Sequence, residues 1–204
     1  MLGIALSVII GALLGFFCKS PLVLAHADNL IKFGLCLLLF FVGIDIGKNQ
    51  SVFEQLKTLN KKVLLLPFVT IIGSLLGGVL ASFITTLSLG EGVAVSSGMG
   101  WYSFSAIELS KINAQLGGTA FLSNVFRELL AIFTIPFIAA RIGSFQSVSS
   151  AGATAMDSVL PVINRSNPPD ISIIAFYSGL VITIVVPILV PAVVAIFNLG
   201  EIFF

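Results

Sequence analysis

Residues 121–137, "FLSNVFRELLAIFTIPF", set an arginine beside a glutamate in the middle of a long apolar run. In a soluble helix the pair would face water. Whether it can do so here depends on what surrounds the chain, and composition answers that. Of 204 residues, 57% are hydrophobic and only 9% charged, where a soluble domain carries about 25% charged residues. Mean hydropathy is +1.14. Too few charges are present to coat a water-facing surface. The natural solvent is the lipid bilayer, and the expected class is an all-α, polytopic integral membrane protein.

Several functions drop out at this level. A net charge of +1 offers no basic patch, which argues against a nucleic-acid partner. One His and two Cys do not make a structural zinc site. Cys18 and Cys36 read as buried thiols packing like small hydrophobes, and His26 as a loop residue. No G-x-x-x-x-G-K-[ST] loop marks an ATP site, so neither metal nor cofactor is expected. At the N-terminus, "GIALSVIIGALLGFF" followed by "AHA" at 25–27 imitates a signal peptide. No Lys or Arg precedes that run, and Lys19 interrupts it well before the cleavage-like site, so it reads as a retained membrane helix.

Five stretches, at about 2–17, 30–47, 63–87, 117–140 and 171–198, approach or exceed the ~17–25 apolar residues of a bilayer-crossing helix. The first is short and fits only upright or in thin lipid. Two more, "VAVSSGMGWYSFSAIEL" (93–109) and "SVSSAGATAMDSVLPVI" (147–163), are apolar but broken by Gly, Ser and Ala, and read as re-entrant hairpins. Lys48, Lys57, Lys61 and Lys62 make the 48–62 loop cytoplasmic by the positive-inside bias. Glu91 then lies outside and Arg141 and Arg165 inside, with the N-terminus cytoplasmic and the C-terminus external. Residues 63–110 and 117–163 repeat one plan, a long span then a broken segment, entered from opposite sides. Such inverted repeats put a transport site where the breaks meet near the midplane. The chain, 1–204, thus reads as one transmembrane transport domain. "IIGALLG" (9–15) and "IIGSLLG" (71–77) each carry G-x-x-x-G, a helix-packing motif.

At 3.6 residues per turn, Asn124 and Glu128 are i, i+4 neighbours, as are Ser123 and Arg127. The four form one polar stripe. A charge against lipid costs about 2.5–3.5 kcal/mol, so the stripe should face protein or a water-filled cavity. Arg127 and Glu128 point about 100° apart, so their pairing is not automatic. Pro136 is expected to break the helix and free the Ile132 carbonyl. A second acid, Asp157, has no Lys or Arg within seven residues and only Thr154 and Ser158 as polar companions. It is expected to be sheltered, without a built-in countercharge. Ser96, Ser97, Ser103 and Ser105 could line a path or satisfy broken backbone. Trp101 and Tyr102 read as membrane-interface anchors, and Glu108 and Lys111 as a solvated i, i+3 pair. The plainer alternative is a closed Arg127–Glu128 network that only fixes packing, with Asp157 capping a half-helix.

The motifs "SSGMGWYSFSAI", "NVFRELLAIFTIPF" and "AGATAMDSVLPVI" resemble the lysine exporter (LysO) family of prokaryotic inner-membrane proteins, from about residue 30 to the C-terminus. The resemblance implies export of L-lysine and its analogue thialysine across the cytoplasmic membrane. It puts the family's intramembrane acids at Glu128 and Asp157. Longer family members carry extra helices ahead of the matched part, and short forms sometimes have a separately encoded small membrane partner. A homodimer or such a partner is therefore expected. Resemblance and residues together give a secondary transporter, not an enzyme, in which lysine leaves in exchange for protons. The substrate- and proton-binding set is Glu128, Asp157, Asn124, Arg127, Ser97, Ser103, Thr154 and Ser158. Its rivals are a transporter of another cationic amino acid or cation, and a non-transporting subunit of a larger membrane complex. An intramembrane aspartyl protease would need two Asp sharing a proton, where this chain offers a Glu and an Asp.

Overall fold

In the computed structural model the described residues are 61–200, with isolated positions between 10 and 44. The chain divides into two compact units, 1–47 and 48–204. Most of the expected spans 2–17 and 30–47 lies outside the described residues, as do Cys18, His26 and most of the 48–62 loop. The described positions of the first unit are helical, and Ile10, Leu13, Phe33, Leu37 and Phe40 are exposed. Cys36 is exposed as well, which corrects the expectation of a buried thiol. Lipid is as apolar as a protein core, so a small hydrophobe gains little by leaving a lipid-facing surface.

The described part of the second unit is helical, with no strand among the described residues. A helical turn, Lys61–Leu64, leads into α1 (Leu66–Ser82), followed by α2 (Leu89–Ser96) and α3 (Tyr102–Ser110). Then come α4 (Ala114–Arg141), α5 (Ser144–Ala151), a 3-10 turn (Gly152–Met156), α6 (Leu160–Ser166) and α7 (Ile171–Ile196). Helices α4 and α7 are long and apolar enough to cross a membrane, with 28 and 26 residues and, over an 18-residue stretch of each, mean hydropathies of 1.5 and 2.8. At 1.5 Å per residue they reach ~42 and ~39 Å. Helix α1 is shorter, at 17 residues. Pro136 sits inside α4 without ending it, against the expectation of a break, and α7 contains Pro187 and Pro191. Proline removes one backbone bond, and membrane helices re-satisfy the freed carbonyl locally.

Helix starts follow local chemistry. Ser88 and Glu91 form a reciprocal capping box at α2, and the Asn113 side chain accepts the Leu116 N–H (2.6 Å) at α4. Helices α3 and α6 begin at the chain breaks with no side-chain cap.

Each broken segment turns back to the end it came from. Helix α2 runs back along α1, where Ser74 Oγ donates to the Ser96 carbonyl at 2.9 Å. A Cβ added at Gly78 would stand 2.6 Å from the Gly92 carbonyl, so the two backbones meet there. Gly73 and Gly77, the glycines of the sequence motif, have open space instead. The close approach is offset by one residue from the expected one, because spacing alone does not say which face meets a neighbour. Helix α3 then returns along α4, and Leu87 and Glu91 line one small cleft with Asn113, Leu116 and Thr119. At the opposite end Ser147 Oγ lies 3.2 Å from Asn167 Oδ1, closing the α5–α6 hairpin in the same way. Arg141 and Arg165 end α4 and α6 there. The start of α1 joins them, with the Tyr177 hydroxyl donating to the Leu64 carbonyl (3.2 Å) and Val63 and Leu66 packed against the buried cluster that includes Ile135, Val148, Ile163 and Ile174. Phe68, Ile72 and Leu76 of α1, Phe126, Leu130 and Phe133 of α4, and Ile184 and Ile188 of α7 are exposed.

Candidate functional site

The tips of the two hairpins cross. The Ala153 N–H donates to the Met99 carbonyl at 2.9 Å, joining the break between α2 and α3 to the 3-10 turn after α5. Gly152 makes the crossing possible. Its φ is +65°, and a Cβ there would stand 2.4 Å from the Met99 carbonyl oxygen. A residue without a side chain is required on both counts.

Helix α4 holds the crossing from the side. Asn124 Oδ1 accepts the Gly100 N–H at 2.7 Å, and its Nδ2 donates to the Ala120 carbonyl at 2.8 Å, with Ser105 Oγ at 3.3 Å. One turn on, Glu128 is 3% exposed, and its Oε1 is buried with no hydrogen-bond partner. Leaving such an oxygen unmatched costs about 1–3 kcal/mol, more when charged, and protonation or a cation relieves it. Asn124 and Glu128 thus lie on one buried face, as their spacing predicts.

Arg127 points elsewhere. No ion pair joins it to Glu128 among the described residues. Its Nη1 donates to Ser74 Oγ at 2.9 Å, and Ser74 in turn bonds the carbonyl of Ser96 at the end of α2. Its Nη2 passes 3.1 Å from where a Cβ of Gly152 would stand, at the end of α5. Two half-helix C-termini, which carry partial negative charge, therefore converge on this cation. A cleft of about 680 Å³ opens on the same side, lined by Ser74, Ser96, Ser123, Asn124, Arg127 and Ser149 among others. Glu128 and Asp157 take no part in its wall.

The acids lie apart from that cleft. Tyr102, the first residue of α3, lies within electrostatic reach of both Glu128 and Asp157 and packs edge-on against Phe121 at 5.6 Å. Carboxyl groups near half-helix N-termini and a guanidinium near C-termini match the local dipoles.

Asp157 departs from expectation. It and Ser158 are exposed, and the Ser158 N–H and hydroxyl both donate to Asp157 Oδ1. The backbone after the 3-10 turn (φ −133°, ψ −98° at Asp157) is irregular, and irregular backbone has no periodicity to keep a side chain inward. Nor does Asp157 cap α6, whose N-cap residue is Val159. Its exposure lies well within the length of α7, since Met156 packs on Gly179 and its sulfur is 3.7 Å from Thr183 Oγ1.

The softer candidates divide. Ser97 and Thr154 are buried and donate to the Ala94 and Ala151 carbonyls at 2.6 and 2.8 Å, satisfying the ends of α2 and α5. Ser103 is half-buried on α3. Trp101 and Tyr102 stand at the first break, with the Trp101 ring tilted at 37° to that of Phe104, centroids 5.2 Å apart. Glu108 and Lys111 form the expected ion pair at the end of α3. Ser74 and Gly152 escaped sequence reasoning. The i, i+4 pair Thr70–Ser74, beside Gly73 and Gly77, is the sequence signal that marks the polar, small-residue face of α1.

Comparison with known proteins follows the same line. The sequence profile described as lysine exporter LysO matches residues 5–194. A Haemophilus influenzae protein named "Putative lysine exporter" is 35% identical over 184 residues, which cover 90% of this chain and 92% of that one. "Lysine exporter LysO" of Escherichia coli is 35% identical over 184 residues, 90% of this chain and 60% of the relative. No solved structure matches.

Proposed function

The chain belongs to the lysine exporter LysO family, and on that premise we propose that it exports L-lysine, with analogues such as thialysine, across the cytoplasmic membrane in exchange for protons. The family is one of transporters rather than enzymes. The observation that carries the coupling is the buried, unpartnered Glu128 Oε1 beside the crossed tips. Glu128 is the inner carboxyl and Asp157 the outer one, and each holds either a proton or an ammonium group of the substrate. Asn124 fixes the first tip against them, while Ser97, Ser103, Thr154 and Ser158 complete the polar surroundings.

Moving lysine's positive charge outward against an inside-negative potential costs about 2.3 kcal/mol per 100 mV. One-for-one exchange with an incoming proton cancels that charge movement, leaving the pH and lysine gradients as drivers. The proposed frame has five full spans, with 63–110 and 117–163 as inverted repeats. The end bearing Lys61, Lys62, Arg141 and Arg165 faces the cytoplasm, which puts the N-terminus inside and the C-terminus outside. This orientation is supported by the collection of cations at one end of the second unit. A second copy or a small membrane partner completes the assembly.

Counterflow of labelled lysine in liposomes tests the reading, with ornithine and arginine as competitors. Glu128→Gln and Asp157→Asn should each abolish exchange in protein that still inserts. Full exchange in both variants would reduce the acids to packing elements, and preference for a competitor would reassign the substrate.

A further inference from the structure

The Arg127 cleft has a chemistry of its own. Among the described residues Arg127 is the only charged side chain in its wall, and Asn124, Gln146, Thr70 and several serines supply the remaining polar lining. No carboxylate of the described residues lines it. Its volume of about 680 Å³ falls in the ~300–1,000 Å³ range of small-molecule sites. Among the described residues the guanidinium makes one side-chain hydrogen bond, to Ser74, so most of its five N–H donors are uncommitted. The cleft also abuts the crossing, because Arg127 overlies Gly152 and Asn124 holds Gly100.

A lone cation with hydroxyl and amide neighbours repels an ammonium group and welcomes a carboxylate, which the planar guanidinium can bind through two parallel hydrogen bonds. We propose that this cleft is the subsite for the α-carboxylate of the transported amino acid, with Arg127 as the residue that recognises it. The inference rests on the exporter reading and deepens it. Substrate is divided across α4, its carboxylate on the Arg127 flank and its ammonium groups toward the acids on the neighbouring face. A cation lacking the carboxylate would then be a poor cargo, even with Glu128 and Asp157 intact.

The test compares lysine with lysinamide, in which a neutral amide replaces the carboxylate, in the full-length protein. Wild type should take lysine with a KM at least ~10-fold below the lysinamide inhibition constant. Arg127→Gln should raise the lysine KM by roughly 10- to 100-fold, the worth of a charged hydrogen-bonded contact, while changing lysinamide inhibition less than ~2-fold. Arg127→Lys should fall between. Equal losses for both compounds, or an unchanged lysine KM, would overturn the subsite. Should neither variant fold, thermal stabilisation of the wild type decides, and equal protection by lysine and lysinamide rejects the proposal. If the wild type shows no lysine counterflow, the exporter reading fails first. The cleft is then judged by the same stabilisation assay with ornithine and arginine against their amides. Protection by the free acids alone supports it, and equal or absent protection rejects it.

Discussion

Asn124 binds the first hairpin tip with both halves of its amide, and removing it isolates a single backbone group. Asn124→Ala leaves the Gly100 N–H buried without an acceptor, at about 1–3 kcal/mol. The thermal midpoint in detergent should fall by several degrees, and Asn124→Asp, which keeps the acceptor, should recover part of the loss. Glu128→Gln should behave in the opposite sense. A neutral amide is easier to bury than a carboxylate, so the midpoint should hold or rise while exchange is lost. A lower midpoint would make Glu128 a support of the fold. The burial of Asn124 and Glu128 was legible in advance, because i, i+4 spacing and the cost of charge in lipid both act along one helix. Ser74 as the partner of Arg127 was not, since 53 residues separate them. The outward turn of Asp157 was illegible for a different reason, as it depends on irregular backbone.

Among the elements, the breaks within 93–109 and 147–163 were readable from composition, since runs of Gly, Ser and Ala make poor lipid-facing helices. Which glycine does which work was not readable. Gly152→Ala should cost about 2–5 kcal/mol, combining overpacking with a left-handed backbone conformation. Gly78→Ala should destabilise the α1–α2 contact through its clash with the Gly92 carbonyl. Gly73→Ala, with open space around it, should be neutral or gain up to ~1 kcal/mol from helix propensity. Thermal midpoints and purified yields of the three variants check the order, and a Gly73→Ala loss as large as that of Gly152→Ala would refute it. Continuity of α4 through Pro136 was likewise hidden, because a proline read as a break in water can be absorbed in a membrane helix.

At the scale of the whole molecule, the charge asymmetry of the two ends makes a topological prediction. With the native cysteines replaced, cysteines at 141 and 165 should react with a membrane-impermeant maleimide only from the cytoplasmic side, and one at 111 only from outside. Arg141 and Lys111 are both exposed, so failure to label at either site would not be a matter of burial. Labelling of 141 and 111 from one side would dismantle the arrangement. One-for-one exchange further predicts that net lysine flux driven by a pH or lysine gradient is indifferent to an imposed diffusion potential, whereas a clear dependence would require another stoichiometry. Finally, the knot between Met99 and Ala153 is tied by main chain alone. Amino-acid replacement has no handle on such a tie except by adding bulk beside it. Side chains on either flank can therefore be exchanged without touching the bond that joins the two tips.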